Sequence, residues 1–251
     1  MRTRLSIFCD KVIEAGWLAA IVIVPLFFNI HTNRVFEPDK LSLLRSIALV
    51  MAAAWLVRAI EDWRIGRAAD QPNGEKLTLW QRVYKTPLVL PTLLLVLAYL
   101  ISTALSITWK ISLLGSYQRL QGTYTSLAYI VIFFLLLDGL RTKRQFNRII
   151  NTAIVVSLPI ALYALVQHFG LDPLPWGGNV TTRVASNMGN AIFVAAYMIM
   201  IVPLTLYRII ENWREATGDI ESRDIGLGVL AFLLVVGILL AAMLWRAEEG
   251  M

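Results

Sequence analysis

One cysteine and two histidines are the whole supply of soft metal ligands in a chain of 251 residues. Cys9 stands alone, so no intramolecular disulfide can form. His31 and His168 are too few for a multi-histidine haem or copper core. No Gly-rich phosphate loop, no Cys/His metal spacing and no Ser/His/Asp arrangement with a nucleophile turn is present. The sequence therefore assigns no catalytic residue, no metal ligand and no cofactor. Charged residues make up only 16% of the chain, and no polar stretch is long enough for a separate soluble domain. No run alternates apolar and polar positions, which removes the strand signal. No two-half inverted repeat is evident, which argues against a small transporter. A cleavable leader is also lacking, so the first apolar run is expected to stay in place as an anchor.

What fills the chain instead is apolar: 57% hydrophobic residues and a mean hydropathy of +0.64, the range of integral membrane proteins. With about 20 residues needed per span, the runs predict an all-α, polytopic membrane helical bundle forming one domain over 1–251. Seven spans are expected, over 16–30, 41–60, 87–107, 123–140, 149–169, 189–210 and 225–245. Residues 1–15, short, basic and mildly amphipathic, read as a helix lying on the inner surface. In hydrocarbon the backbone must be satisfied within helices, and mid-span prolines such as Pro91 and Pro159 are tolerated there.

A net charge of +6 would suggest a nucleic-acid partner in a soluble protein. Here the cations sit between spans, so topology accounts for them and no nucleic acid is expected. On one side lie Arg2, Arg4 and Lys11; Arg58, Arg64, Arg67, Lys76, Arg82 and Lys85; Arg141, Lys143, Arg144 and Arg148; and Arg208, Arg214 and Arg223. The other side holds Arg34, Lys40, Lys110, Arg119, Arg183 and Arg246. A bias of about 16 to about six places the N-terminus in the cytoplasm and the C-terminus outside.

The stretch from Tyr163 to Tyr207 has the most character. An apolar helix ends at His168-Phe169-Gly170, a Pro/Gly-rich turn follows, and Gly189-Asn190 opens the next apolar helix. Arg183 is the only formal cation in that stretch. An isolated guanidinium near a helix N-terminus can hold a phosphate group; it can equally anchor the helix at headgroup level, and spacing leaves both readings open. Other polar residues expected on the same face include Arg34, Glu37, Asp39, Arg119, His168, Asp172 and Asn190. Aromatic side chains such as Tyr117 and Trp176 could pack on sugar faces or form an interfacial belt. Arg45 falls inside an apolar run, where a charge is costly without a partner. The expected partners are Glu37 or Asp39, with a direct contact to a lipid diphosphate as the alternative.

The run HFGLDPLPW (168–176), then Arg183, then Gly189-Asn190 at the mouth of an Ala- and Tyr-bearing helix, resembles the bacterial O-antigen ligase/polymerase family. Phe36–Leu49 and Leu113–Phe134 fit the same order. The family comprises multi-span membrane glycosyltransferases of the bacterial cytoplasmic (inner) membrane. They act on glycans carried by a polyprenyl diphosphate. The resemblance implies inverting glycosyl transfer on the outer face, with Arg183 at the position of a family arginine that binds the lipid diphosphate. Asn190 would lie at the same helix mouth; if Arg183 binds the diphosphate, its side chain is expected to face a cavity between helices at the outer interface, lined by Arg34, Arg119 or His168. Arg246 is in roughly the place of a second family arginine. Two departures stand out. The family usually reads Asn-Pro-Asn where this chain has Gly189-Asn190-Ala191, and its members carry about a dozen spans plus an external loop with a catalytic histidine. Neither His31 nor His168 corresponds to that histidine. The chain is thus expected to represent an N-terminal half, with the lipid bilayer and a polyprenyl-diphosphate-linked glycan as partners and a second polypeptide completing the bundle. The alternative is a non-catalytic integral membrane subunit of a larger membrane complex.

Overall fold

The computed structural model describes residues 3–29, 37–64, 88–174 and 178–217. Seven α-helices account for most of them: α1 (Arg4–Leu26), α2 (Glu37–Arg64), α3 (Val89–Ala104), α4 (Trp109–Leu114), α5 (Thr123–Gly139), α6 (Lys143–His168) and α7 (Ala191–Thr217). A 3-10 turn, Ser186–Met188, precedes α7, and no strand occurs among the described residues. The all-α class is as expected.

Three helical stretches are long and apolar enough to cross a membrane: Glu37–Glu61 of α2, Lys143–His168 of α6 and Ala191–Trp213 of α7. α3 and α5 are apolar but have only 16 and 17 residues, against the roughly 20 that a span perpendicular to the bilayer needs. The run expected over 225–245 lies outside the described residues. Large apolar side chains stand exposed along these helices, among them Leu94, Leu97, Val155, Leu158, Ile199 and Met200. A soluble monomer would rarely show so much exposed apolar surface.

Contacts divide the chain into two compact units, 1–152 and 153–251. In the first, α1, α2 and α5 pack around Ile13, Trp17, Met51 and Leu135. The buried face of α1 runs Ser6, Cys9, Ile13, Trp17, a three-and-four spacing that keeps one helical stripe inward. That stripe runs across residue 16, where the first span is expected to begin. The segment over 1–15, expected as a surface helix, and the apolar run from residue 16 lie on one helix, because the buried stripe passes through Cys9 and Ile13 without a break. Thr3 caps it, accepting the Ser6 N–H at 3.1 Å, while its hydroxyl donates to Glu61. Gly16 lets α2 come close: a Cβ there would lie 2.4 Å from Met51 Cγ.

α6 also starts earlier than the expected 149. Thr142 Oγ1 accepts the Gln145 N–H at 3.2 Å, and Gln145 Oε1 accepts the Thr142 N–H at 3.2 Å. This reciprocal capping box begins the helix at Lys143. At one end of the first unit, Arg58 of α2 is paired with Asp10 of α1 at 2.6 Å and with Asp138 of α5. Beside it Glu14 is paired with Arg148 and accepts a hydrogen bond from Gln145 at 3.0 Å.

Candidate functional site

The hairpin between α6 and α7, within the second unit, is held by one buried amide. Gln167 is completely buried in the last turn of α6. Its Oε1 accepts the backbone N–H groups of Ala185 at 3.1 Å and Ser186 at 2.7 Å. Its Nε2 donates to Asp172 Oδ2 at 3.2 Å, and Tyr163 donates its hydroxyl to the same oxygen at 2.8 Å. The other carboxylate oxygen of Asp172 accepts the Leu174 N–H at 3.0 Å. Ser186, also fully buried, donates to the Ile160 carbonyl at 2.9 Å. The Ser186 backbone has φ +47°, a region that costs a non-glycine residue free energy. Four hydrogen bonds through Gln167 and Ser186 hold it there.

The outer part of the loop ties to itself. Asn179 Oδ1 accepts from the Thr181 N–H at 3.1 Å and the Thr181 hydroxyl at 2.6 Å, an Asx turn. His168 Nδ1 lies 2.9 Å from the Thr181 carbonyl, so the histidine fastens the loop to the end of α6. The polar side chains of the hairpin thus mostly serve its own shape. Arg183 is the exception. It is exposed, between Thr181 and the clasped Ala185 amide, with no hydrogen bond, ion pair or ring contact among the described residues.

Asn190 is exposed, and its Oδ1 accepts the Ile192 N–H at 2.9 Å. Its side chain therefore caps α7, satisfying a first-turn donor that the phosphate reading would leave for a ligand. Gly189, at φ +78°, makes the left-handed step between the 3-10 turn and that cap.

In the first unit Arg119 is exposed and lies 3.9 Å from Glu37, a loose surface pair. The expected pairing of Arg45 with Glu37 or Asp39 is replaced by another arrangement. Arg45 Nε donates to Thr125 Oγ1 at 2.9 Å, and its Nη2 donates to the carbonyls of Leu114 at 2.8 Å and Leu120 at 2.5 Å. The guanidinium carbon also sits 4.8 Å from the Tyr124 ring centroid. The physical reason is helical register. α2 begins at Glu37, so Glu37 and Asp39 are on the same helix as Arg45, eight and six residues away, whereas only positions three or four apart face each other. Asp39 instead accepts from Asn29 at 3.2 Å, and Lys40 donates to the Pro25 carbonyl at 3.1 Å. Arg45 organises the α4–α5 loop, which is so tight that a Cβ on Gly122 would stand 2.3 Å from the Gly115 nitrogen.

Arg34, Trp176 and Arg246 lie outside the described residues. Gln167 and Tyr163, which shape the hairpin, were not singled out by the sequence. Nor were Trp17, Asp138 or the pairing of Arg58, whose two carboxylate partners lie 48 and 80 residues away along the chain. The chain matches no family model, no curated protein and no solved structure.

Proposed function

We propose that the chain is a multi-span protein of a bacterial cytoplasmic membrane whose α6–α7 hairpin binds the diphosphate of a polyprenyl-linked glycan at the outer face. In this reading it serves glycosyl transfer of the O-antigen ligase/polymerase kind, with the transfer chemistry supplied by residues beyond those described. The observation that carries it is Arg183, a guanidinium without a partner among the described residues, two residues from an amide that buried Gln167 fixes in place. Most other polar side chains of that loop are spent on the loop itself, and none among the described residues pairs with Arg183, which leaves its charge open to an external anion. Arginine suits the task because its charge is fixed and its planar fork matches phosphate oxygens. Asn190, with its side chain committed to capping α7, orients the helix start and leaves recognition to Arg183.

Binding of a polyprenyl diphosphate to the purified protein at fixed salt tests the reading. Arg183→Ala should weaken binding about tenfold or more, and Arg183→Lys should restore it only in part, since an ammonium lacks the fork. Equal affinity of the wild type and Arg183→Ala would leave Arg183 a headgroup anchor and favour the non-catalytic subunit.

A further inference from the structure

A cavity of about 170 Å³ opens in the first unit, at the end where α1 begins and α2 and α5 finish. Its lining includes Lys11, Glu14, Trp17, Arg58, Gly139 and Arg141. One water needs only about 10–15 Å³, so the space is an order of magnitude larger than a single solvent molecule requires.

Three features say what would fill it. The first is an orphaned donor. Trp17 is 1% exposed, yet its indole Nε1 has no hydrogen-bond partner among the described residues. An indole N–H can only donate, and a buried tryptophan normally satisfies it, so the occupant must present an oxygen acceptor. The second is charge. Arg58 is taken up by Asp10 and Asp138, and Glu14 by Arg148 and Gln145. At the mouth remain Lys11, exposed and without a partner among the described residues, and Arg141, half-exposed, whose Nε donates to the Asp138 carbonyl at 3.2 Å while its Nη2 stays 3.9 Å from the Asp138 carboxylate. The lining itself holds the cations Lys11, Arg58 and Arg141 against the carboxylates Asp10 and Glu14, an excess of one positive charge. The third is Gly139. A Cβ there would stand 3.7 Å from Trp17 Nε1 and 3.9 Å from Ile13 Cγ2, so the missing side chain keeps the indole edge open.

We propose that this cavity binds a phosphate ester, with its anionic oxygens toward Lys11 and Arg141 and an oxygen accepting the Trp17 indole N–H. A phosphodiester carries a single negative charge and many acceptors, matching both the charge excess and the orphaned donor. Two sources offer that chemistry: the headgroup of an anionic phospholipid, or a soluble phosphate. This site is independent of the α6–α7 hairpin, and neither proposal needs the other.

The test uses the full chain purified in a neutral detergent, with thermal stability followed during titration by phosphatidylglycerol, phosphatidylcholine or inorganic phosphate. Phosphatidylglycerol should raise the melting temperature at a concentration about tenfold below that needed for phosphatidylcholine. Inorganic phosphate alone producing the same rise would make the ligand a soluble phosphate; a rise with the anionic lipid only would make it a headgroup. Trp17→Phe should shift the midpoint about tenfold, the loss expected for a hydrogen bond to a charged group. Gly139→Ala, whose new methyl fits in ordinary contact, and Lys11→Gln, at the surface, should each weaken binding several-fold while leaving the unliganded protein folded. Phosphatidylglycerol and phosphatidylcholine both stabilising the protein, at equal concentrations, would overturn the proposal. So would unchanged midpoints in Gly139→Ala and Lys11→Gln, and so would no stabilisation by any of the three, in which case water fills the cavity.

Discussion

Gln167 Oε1 reaches across 19 residues of chain to accept the Ser186 N–H at 2.7 Å, and that one bond sets where the α6–α7 hairpin returns to its helix. Replacing the amide by a shape-matched apolar side chain strands two buried donors, on Ala185 and Ser186. Each unsatisfied group costs about 1–3 kcal/mol. Gln167→Leu should therefore lower stability by about 2–5 kcal/mol and open the loop to protease near Asn179. Thermal unfolding in detergent and limited proteolysis check this. Gln167→Glu keeps the acceptor but faces the Asp172 carboxylate, and should sit between the wild type and Gln167→Leu.

Arg45 gives a second measurement. Its guanidinium holds two carbonyls and a hydroxyl in the α4–α5 region. Arg45→Leu should cost about 2–4 kcal/mol, because charge-assisted hydrogen bonds contribute about 1.5–3 kcal/mol each and part is recovered by water at the exposed Leu114 carbonyl. Glu37→Gln and Asp39→Asn should leave stability within about 0.5 kcal/mol, as surface substitutions usually do. A loss in Glu37→Gln equal to that in Arg45→Leu would restore the ion pair that register argues against.

What could be read in advance, and what could not, follows from the range of each interaction. The long helices were legible from apolar runs, since hydropathy is a property of each residue, whereas short α4 (Trp109–Leu114) falls between two expected spans. Two starts were misplaced because hydropathy alone was followed. Lys143, Arg144 and Arg148 masked the beginning of α6, although Thr142-x-x-Gln145 is a capping signal in plain view. Asp10, Lys11 and Glu14 hid the continuity of α1 in the same way, while Cys9, Ile13 and Trp17 already stood four residues apart. Gln167 was beyond reach for another reason: its partners are backbone amides, which carry no residue identity. Arg45 was misassigned because near in sequence was taken as near in space, and a helix separates positions six or eight apart.

Orientation can be measured directly. The proposed bundle has its cation-rich loops in the cytoplasm, so a cysteine at Gly115 or Gly178 should react with an impermeant maleimide in intact cells. One at Thr142 should react only after permeabilisation. Cys9, at 3% exposed in the packed face of α1, contributes little background. Rapid labelling at Thr142 in intact cells would invert the topology, and with it the side on which Arg183 meets its ligand.

The Arg58 cluster offers the sharpest energetic test of the first unit, because its two carboxylates differ in exposure. The Arg58 side chain is 10% exposed, Asp10 26% and Asp138 46%. Breaking a buried ion pair by removing one partner costs about 3–5 kcal/mol, mostly from the charge left behind. Here the carboxylates are partly open to water, so Arg58→Met should cost somewhat less, about 2–3 kcal/mol. The less exposed acid should account for most of that loss. Adding Asp10→Asn to Arg58→Met should recover a larger part than adding Asp138→Asn, since Asp138 can turn to solvent or to Arg141, 3.9 Å away. Thermal melts of the single and paired variants give the coupling energies directly. Equal recovery by the two neutralisations would overturn the ranking by exposure, and no recovery by either would mean that the loss comes from packing of the long Arg58 side chain between α1 and α5.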